Sequence, residues 1–184
     1  MQLRAVRTAG YVFTVMLTGW LALVPLGTAN AADPNPTLER DLIALTNLDR
    51  TSNSLTSLLE TEPLIDLARE RSDDMLARNY FSHDIPPEGE KVFALMQQRG
   101  ILYRIAGENL AWNNAAQGEA SIQRARQDFM NSPTHRANIL EAEFSTIGVG
   151  AIPGSDRIMY TVLFMRTFAE DEGITEAAPG DSGE

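Results

Sequence analysis

Ile147-Gly148-Val149-Gly150-Ala151-Ile152, Pro153-Gly154-Ser155-Asp156 and Ile158-Met159-Tyr160-Thr161-Val162-Leu163-Phe164 stand in succession, and this run decides the fold. A short β-rich segment, a Pro-Gly-Ser-Asp turn and a stretch rich in Val, Phe, Tyr and Thr through 158–168 spell an antiparallel hairpin. Everything upstream of it has helical period instead. Leu38, Leu42, Ile43 and Leu45 predict a helix over about 37–50, ended by the polar loop Thr51-Ser52-Asn53-Ser54. Leu64, Leu67, Ala68, Met75 and Leu76 predict a second over 63–79. Val92, Leu95 and Met96 mark a short third that stops at Gly100, and Ile122, Ala125 and Phe129 a fourth over 117–130. Ser132-Pro133 restarts the chain as a cap and a first helical position, which sets His135 in the first turn of a helix ending near Leu140. The segment 106–112 reads equally as strand or loop. Helices covering a small antiparallel sheet make an α+β layered domain.

Both ends differ from this middle. Arg4 and Arg7 are the only charges before Asp33. An apolar stretch follows them, broken by Pro25 and Gly27, and Ala29-Asn30-Ala31 gives an A-x-A spacing. That order predicts a secretory signal over 1–31, with an uncleaved N-terminal membrane anchor as the alternative. With the signal removed, no transmembrane segment is expected. Residues 32–36 form a linker and 37–168 the folded domain. The remainder, 169–184, carries Glu170, Asp171, Glu172, Glu176, Asp181 and Glu184 with no base, a composition expected to stay disordered. The 184 residues hold no cysteine, so the fold has no disulfide and the exported chain reads as bacterial, secreted or periplasmic. Fifteen basic against 25 acidic residues, a net charge of −10, exclude a nucleic-acid partner.

Chemistry has few carriers here. The two histidines are His83, in Tyr80-Phe81-Ser82-His83-Asp84, and His135, in Ser132-Pro133-Thr134-His135-Arg136. Between them Glu108 sits in Gly107-Glu108-Asn109-Leu110-Ala111, an acid too costly to bury in apolar surroundings unless paired or ligated. Two imidazoles and a carboxylate could form three zinc ligands with a fourth position open to water. They could equally cap and pack loop ends. Ser82 and Ser132 lie near the histidines, but Ser-Pro at a helix start reads as a cap rather than a nucleophile. Asn109 and Asn138 read as satisfying backbone groups beside the cleft, Arg136 as a solvated or salt-bridged surface residue rather than an anion hook, and Tyr80, Phe81 and Trp112 as core, with the lining of a groove as the alternative.

These words in this order resemble the CAP superfamily (cysteine-rich secretory, antigen 5 and pathogenesis-related proteins), in its bacterial SCP-like extracellular branch. Leu45-Thr46-Asn47-x-x-Arg50, Tyr80-Phe81-Ser82-His83, Gly107-Glu108-Asn109-Leu110-Ala111, Ser132-Pro133-x-His135-Arg136-x-Asn138-Ile139-Leu140 and Ile147-Gly148-Val149-Gly150 carry the match over about 38–168. The resemblance implies an α-β-α sandwich. It also implies a cleft of two histidines and two acids that in some members holds zinc or another divalent cation. His83, Glu108 and His135 take three of those places as the metal set. The fourth falls on Ser132, so the second acid is missing. Ser132 and Asn109 complete the expected ligand-binding residues.

Two functions follow as expectations. One is a monomeric exported binding module whose cleft holds a metal, a small ligand, a lipid or an envelope partner. The alternative is a metal-assisted, peptidase-like hydrolase with Glu108 as its candidate catalytic group. The missing acid favours binding, and the residues carry no His-Glu-x-x-His and no nucleophile elbow.

Overall fold

Nearly every residue of the predicted hairpin is buried, because helices cover the sheet on both faces. A computed structural model describes residues 33–114 and 118–168. The expected signal and acidic tail lie outside the described residues, as does the first residue of the expected linker. In chain order the elements are α1 (Pro36–Ser52), β1 (Leu59–Glu60), α2 (Glu62–Ala77), α3 (Val92–Gln98) and β2 (Ile105–Asn113), followed by α4 (Glu119–Asn131), α5 (Pro133–Ile139), β3 (Thr146–Pro153) and β4 (Ile158–Arg166). The sheet order is β1-β3-β4-β2.

β3 and β4 pair antiparallel from Thr146↔Met165 to Pro153↔Ile158, and β2 lies antiparallel on β4 from Ile105↔Arg166 to Asn113↔Ile158. The ambiguous segment 106–112 is therefore strand. β1 adds a two-residue parallel edge on β3, so the sheet is mixed rather than wholly antiparallel. Two residues are too few to show a period, which is why the sequence does not announce them.

Period-two alternation divides the core between the faces. Val149, Ala151, Tyr160, Val162 and Phe164 pack with Leu38, Leu42, Ile122, Ala125, Phe129 and Ile139 of α1, α4 and α5. Leu163 and Met165 face the other way, against Leu64, Leu67 and Ala68 of α2 and Val92 and Met96 of α3. This is the α-β-α sandwich. On the α2 face β3 presents Gly148 and Gly150, and a Cβ at Gly150 would stand 2.2 Å from the Ala68 carbonyl carbon. Helix α2 thus lies directly on the strand backbone.

Two buried arginines lock the ends. Arg50, at the end of α1, donates to the carbonyls of Thr56, Ile139, Glu141 and Phe144, which fixes the C-terminus of α5. Burial lowers its pKa, an effect Glu141 opposes. Arg71, on α2, reaches the site described next.

Candidate functional site

The cleft lies along β2, the edge strand where the two helical layers separate. Arg71 occupies the buried stripe of α2, in register with Leu64, Leu67, Ala68 and Met75, and is 1% exposed. Its Nε donates to Glu108 Oε1 at 3.2 Å, Nη1 to the Tyr80 hydroxyl at 2.6 Å and Nη2 to the Ser82 carbonyl at 2.7 Å. A single cation therefore neutralises the buried acid of β2 and holds the loop that follows α2. That loop brings His83 Nδ1 to 2.6 Å from Glu108 Oε2. A carboxylate can only accept, so Nδ1 carries the proton and Nε2 is left unprotonated in the neutral ring. The Glu108 side chain is 3% exposed and that of His83 46%.

His135 arrives from the other layer. Asn109 Nδ2 donates to its carbonyl at 3.0 Å, while Asn138 Nδ2 donates to Asn109 Oδ1 at 2.8 Å and to the Glu108 carbonyl at 3.3 Å. The two asparagines latch α5 onto β2, satisfying backbone groups as the sequence implies. The His135 ring meets Phe129 edge-on at 5.4 Å. Burial, and secondarily the charge of His83, lower its pKa below the ordinary 6.5, so it is neutral at pH 7. A third group stands behind Arg71. Burial alone would raise the pKa of Asp74, but hydrogen bonds from Arg78 and Tyr80 outweigh it and the net shift is downward.

A cavity of about 220 Å³ is lined by Ser132 and His135 of the α4–α5 layer, by Phe81 and by Leu110, Ala111 and Trp112 of β2. Phe81 is 47% exposed and Trp112 44%, so the core reading of these two rings is corrected. They sit where a loop end and an edge strand run out of covering helix. Tyr80 is half-buried in the Arg71–Asp74 network. Ser132 stands at the N-cap position of α5, but its hydroxyl pairs with Thr134 Oγ1 at 3.2 Å rather than with a backbone amide. Its own N–H already ends α4 on the Asp128 and Phe129 carbonyls. Ser82 Oγ accepts from the Asp84 N–H. Neither serine bonds an imidazole among the described residues.

His83 and Glu108 are in contact, Asn109 bonds the His135 backbone, and Ser132 and His135 share one cavity. Arg71 escaped the sequence reading. The available signal was an arginine at the i+3 and i+4 spacing of an apolar stripe. As a host for a cation, the arrangement offers His83, with its far ring nitrogen open, and neutral His135. Glu108 is engaged by Arg71 and His83, a carboxylate behind an imidazole. Among the described residues no three His, Cys, Asp or Glu side chains gather closely enough to enclose an ion.

Fold and cleft together define a helix–sheet–helix domain with its polar site on a sheet edge. The model of the CAP family, described as the cysteine-rich secretory protein family, matches residues 43–164, and the chain belongs to this family. A Bacillus subtilis (strain 168) relative, "Uncharacterized protein YkwD", is 37% identical over 125 residues, 68% of this chain and 46% of that protein. An extracellular protein containing a SCP domain from Bacillus anthracis str. Ames is 31% identical with a TM-score of 0.62, covering 72% of this chain and 41% of that one. An outer surface protein from Borrelia burgdorferi, 16% identical, shares the fold with a TM-score of 0.65 over 74% of this chain and 99% of its own. The chain spans under half the length of the curated relatives it matches. Among the described residues no helix is long and apolar enough to cross a membrane.

Proposed function

We propose that this chain is an exported binding module whose cleft, between His83 and His135, takes a divalent cation such as zinc or a small ligand. The observation that carries the reading is the Nδ1 contact of His83 with Glu108 at 2.6 Å. A carboxylate that fixes the tautomer and tilt of an imidazole leaves the opposite nitrogen as a preset ligand, and such carboxylates accompany metal-bound histidines. His135, kept neutral by burial, is in the protonation state that ligation needs. A bound cation would supply a Lewis acid beside the two histidines. His83, His135 and solvent would hold it, with Glu108 and Arg71 keeping His83 in place.

Binding is favoured over turnover by the state of Glu108. A general base needs a free oxygen within reach of a proton. One oxygen here faces Arg71 and the other His83. Export outside the cytoplasm is supported by the signal-like pattern of 1–31 and by the extracellular relative from Bacillus anthracis.

The test is calorimetric titration of zinc into the metal-stripped full chain. The expected result is stoichiometric binding at micromolar Kd or tighter, lost in His135→Ala and in His83→Ala, and weakened about 10–100-fold in Glu108→Gln. Binding that survives both histidine substitutions would overturn the proposed cation site.

A further inference from the structure

We infer that the outer edge of β2 at Leu110 and Trp112 is a docking edge for an extended peptide, which joins the four-stranded sheet beside β2. Met165 accepts from Ser145, so the odd-numbered residues of β4 exchange their hydrogen bonds with β3. The even-numbered residues are left to β2, and Phe164, Val162, Tyr160 and Ile158 oppose Gly107, Asn109, Ala111 and Asn113. Glu108, Leu110 and Trp112 must then turn their N–H and C=O groups outward. The Glu108 carbonyl does so, since it accepts from Asn138 on the side away from β4.

The two edges of the sheet are treated differently. On the β3 side outward groups of Ser145, Ile147 and Ala151 have partners, and Val149 between them, which no hydrogen bond among the described residues covers, is fully buried. Leu59 and Thr61 donate to Ser145 and Ile147, Asn35 donates to the Ala151 carbonyl, and the Ala151 N–H reaches Glu39. On the β2 side Asn138 covers the Glu108 carbonyl. Among the described residues, nothing bonds the outward groups of Leu110 and Trp112. An open edge of this kind templates another strand, and proteins ordinarily blunt it.

Here the edge borders open space. The 220 Å³ cavity lined by Leu110, Ala111 and Trp112 adjoins one of about 580 Å³, and the two share Trp112 and Asp128. Together they follow β2 from Leu110 to Asn114, room for about four or five extended residues at ~3.3 Å each. Phe81, Phe129 and His135 line the first of these cavities beside the strand. Arg124 and Asp128 neutralise each other at 2.9 Å on the rim. A donor and acceptor on alternate residues, with Phe81, Phe129 and Trp112 beside them and no uncompensated charge from the Arg124–Asp128 pair, suits an uncharged extended peptide with apolar side chains at alternate positions.

This rests on the cleft being a binding site and names its ligand class, but it uses none of the imidazole nitrogens. The probe is a set of acetylated, amidated pentapeptides with Thr at positions 1, 3 and 5 and each apolar residue at 2 and 4, added to the full-length protein. Expected are members binding with Kd between about 10 μM and 1 mM. The Leu110 and Trp112 amides should slow in hydrogen exchange, and binding should be lost when the pairing amides of the peptide are N-methylated. Proline is tolerated on an edge strand where the N–H faces out. Trp112→Pro should therefore fold and bind at least about tenfold more weakly than Trp112→Thr, which loses the ring and keeps the donor. Should Trp112→Pro not fold, the N-methylated peptides on the unaltered protein decide alone. No binding at millimolar peptide, equal binding of N-methylated peptides, or equal affinity of the two variants would overturn strand addition. Zinc titration of the same preparations reports separately on the cation site.

Discussion

Gly150→Ala should unseat helix α2. The added Cβ would fall 2.2 Å from the Ala68 carbonyl carbon and 2.3 Å from Ala68 O and Arg69 N, all helix backbone, so no side chain can swing aside. Restoring an ordinary contact of about 3.5 Å requires the helix to lift by roughly 1.3 Å. A gap of about 0.5–1 Å already forfeits a quarter to a half of the dispersion energy of the atoms lining it. The face that lifts carries Leu64, Leu67, Ala68 and Met75, all fully buried. Overpacking alone costs about 1–3 kcal/mol, and the lost packing brings the total to about 3–5 kcal/mol. Stiffening of the unfolded chain by alanine returns about 0.4–1 kcal/mol, too little to offset it. At about 3–5 °C per kcal/mol for a domain of this size, the Tm should fall by roughly 10–20 °C. Gly148→Ala meets the same helix, 2.3 Å from the Leu64 carbonyl carbon. One lift relieves both clashes, so the double variant should cost clearly less than the sum of the singles. Thermal and urea unfolding read these values. A Tm within about 3 °C of the parent, or strict additivity of the two substitutions, would refute the direct seating of α2 on β3.

Three further outcomes follow from the two buried arginines and from His135. Arg71→Met leaves Glu108 buried without its cation and should cost about 3–5 kcal/mol in urea unfolding, while Arg71→Met with Glu108→Gln should recover much of that loss; an additive pair would contradict the coupling. Arg50→Met strips four carbonyl acceptors, two of the bonds being fully buried, and should cost about 3–5 kcal/mol by the same assay. His135 has a folded pKa below its unfolded value of about 6.5, so the unfolded chain binds its proton first. The stability this residue contributes is present above pH 6.5 and lost as pH falls through and below it. His135→Gln should flatten that part of the stability–pH curve, and an unchanged slope would contradict the shift.

The hairpin was legible because β3 and β4 are buried on both faces and so are written almost wholly in apolar and β-rich residues, whereas β2 stayed ambiguous and the two-residue β1 went unseen. Glu108 was legible for the opposite reason, as a charge amid apolar neighbours that demanded a partner. The identity of that partner was not. Arg71 sits on α2, and only the folding of α2 onto the sheet brings its guanidinium to β2. For Phe81 and Trp112 the residues left core and groove lining both open, since a single sequence does not say which strand ends at an open edge. Ser132-Pro133 marked the start of α5 correctly, but the sequence did not show that the Ser132 hydroxyl would pair with Thr134 Oγ1 in place of a backbone amide.

The central claim is that Glu108 holds His83 through Nδ1 and leaves Nε2 for a ligand. Long-range ¹H–¹⁵N spectra of the histidine rings in the full chain at pH 8, before and after one equivalent of zinc, test it directly. The account predicts the Nδ1–H tautomer for His83 in the free protein, then zinc-induced shifts at His83 Nε2 and on the His135 ring. An Nε2–H tautomer for His83, or rings unmoved by zinc, would contradict it.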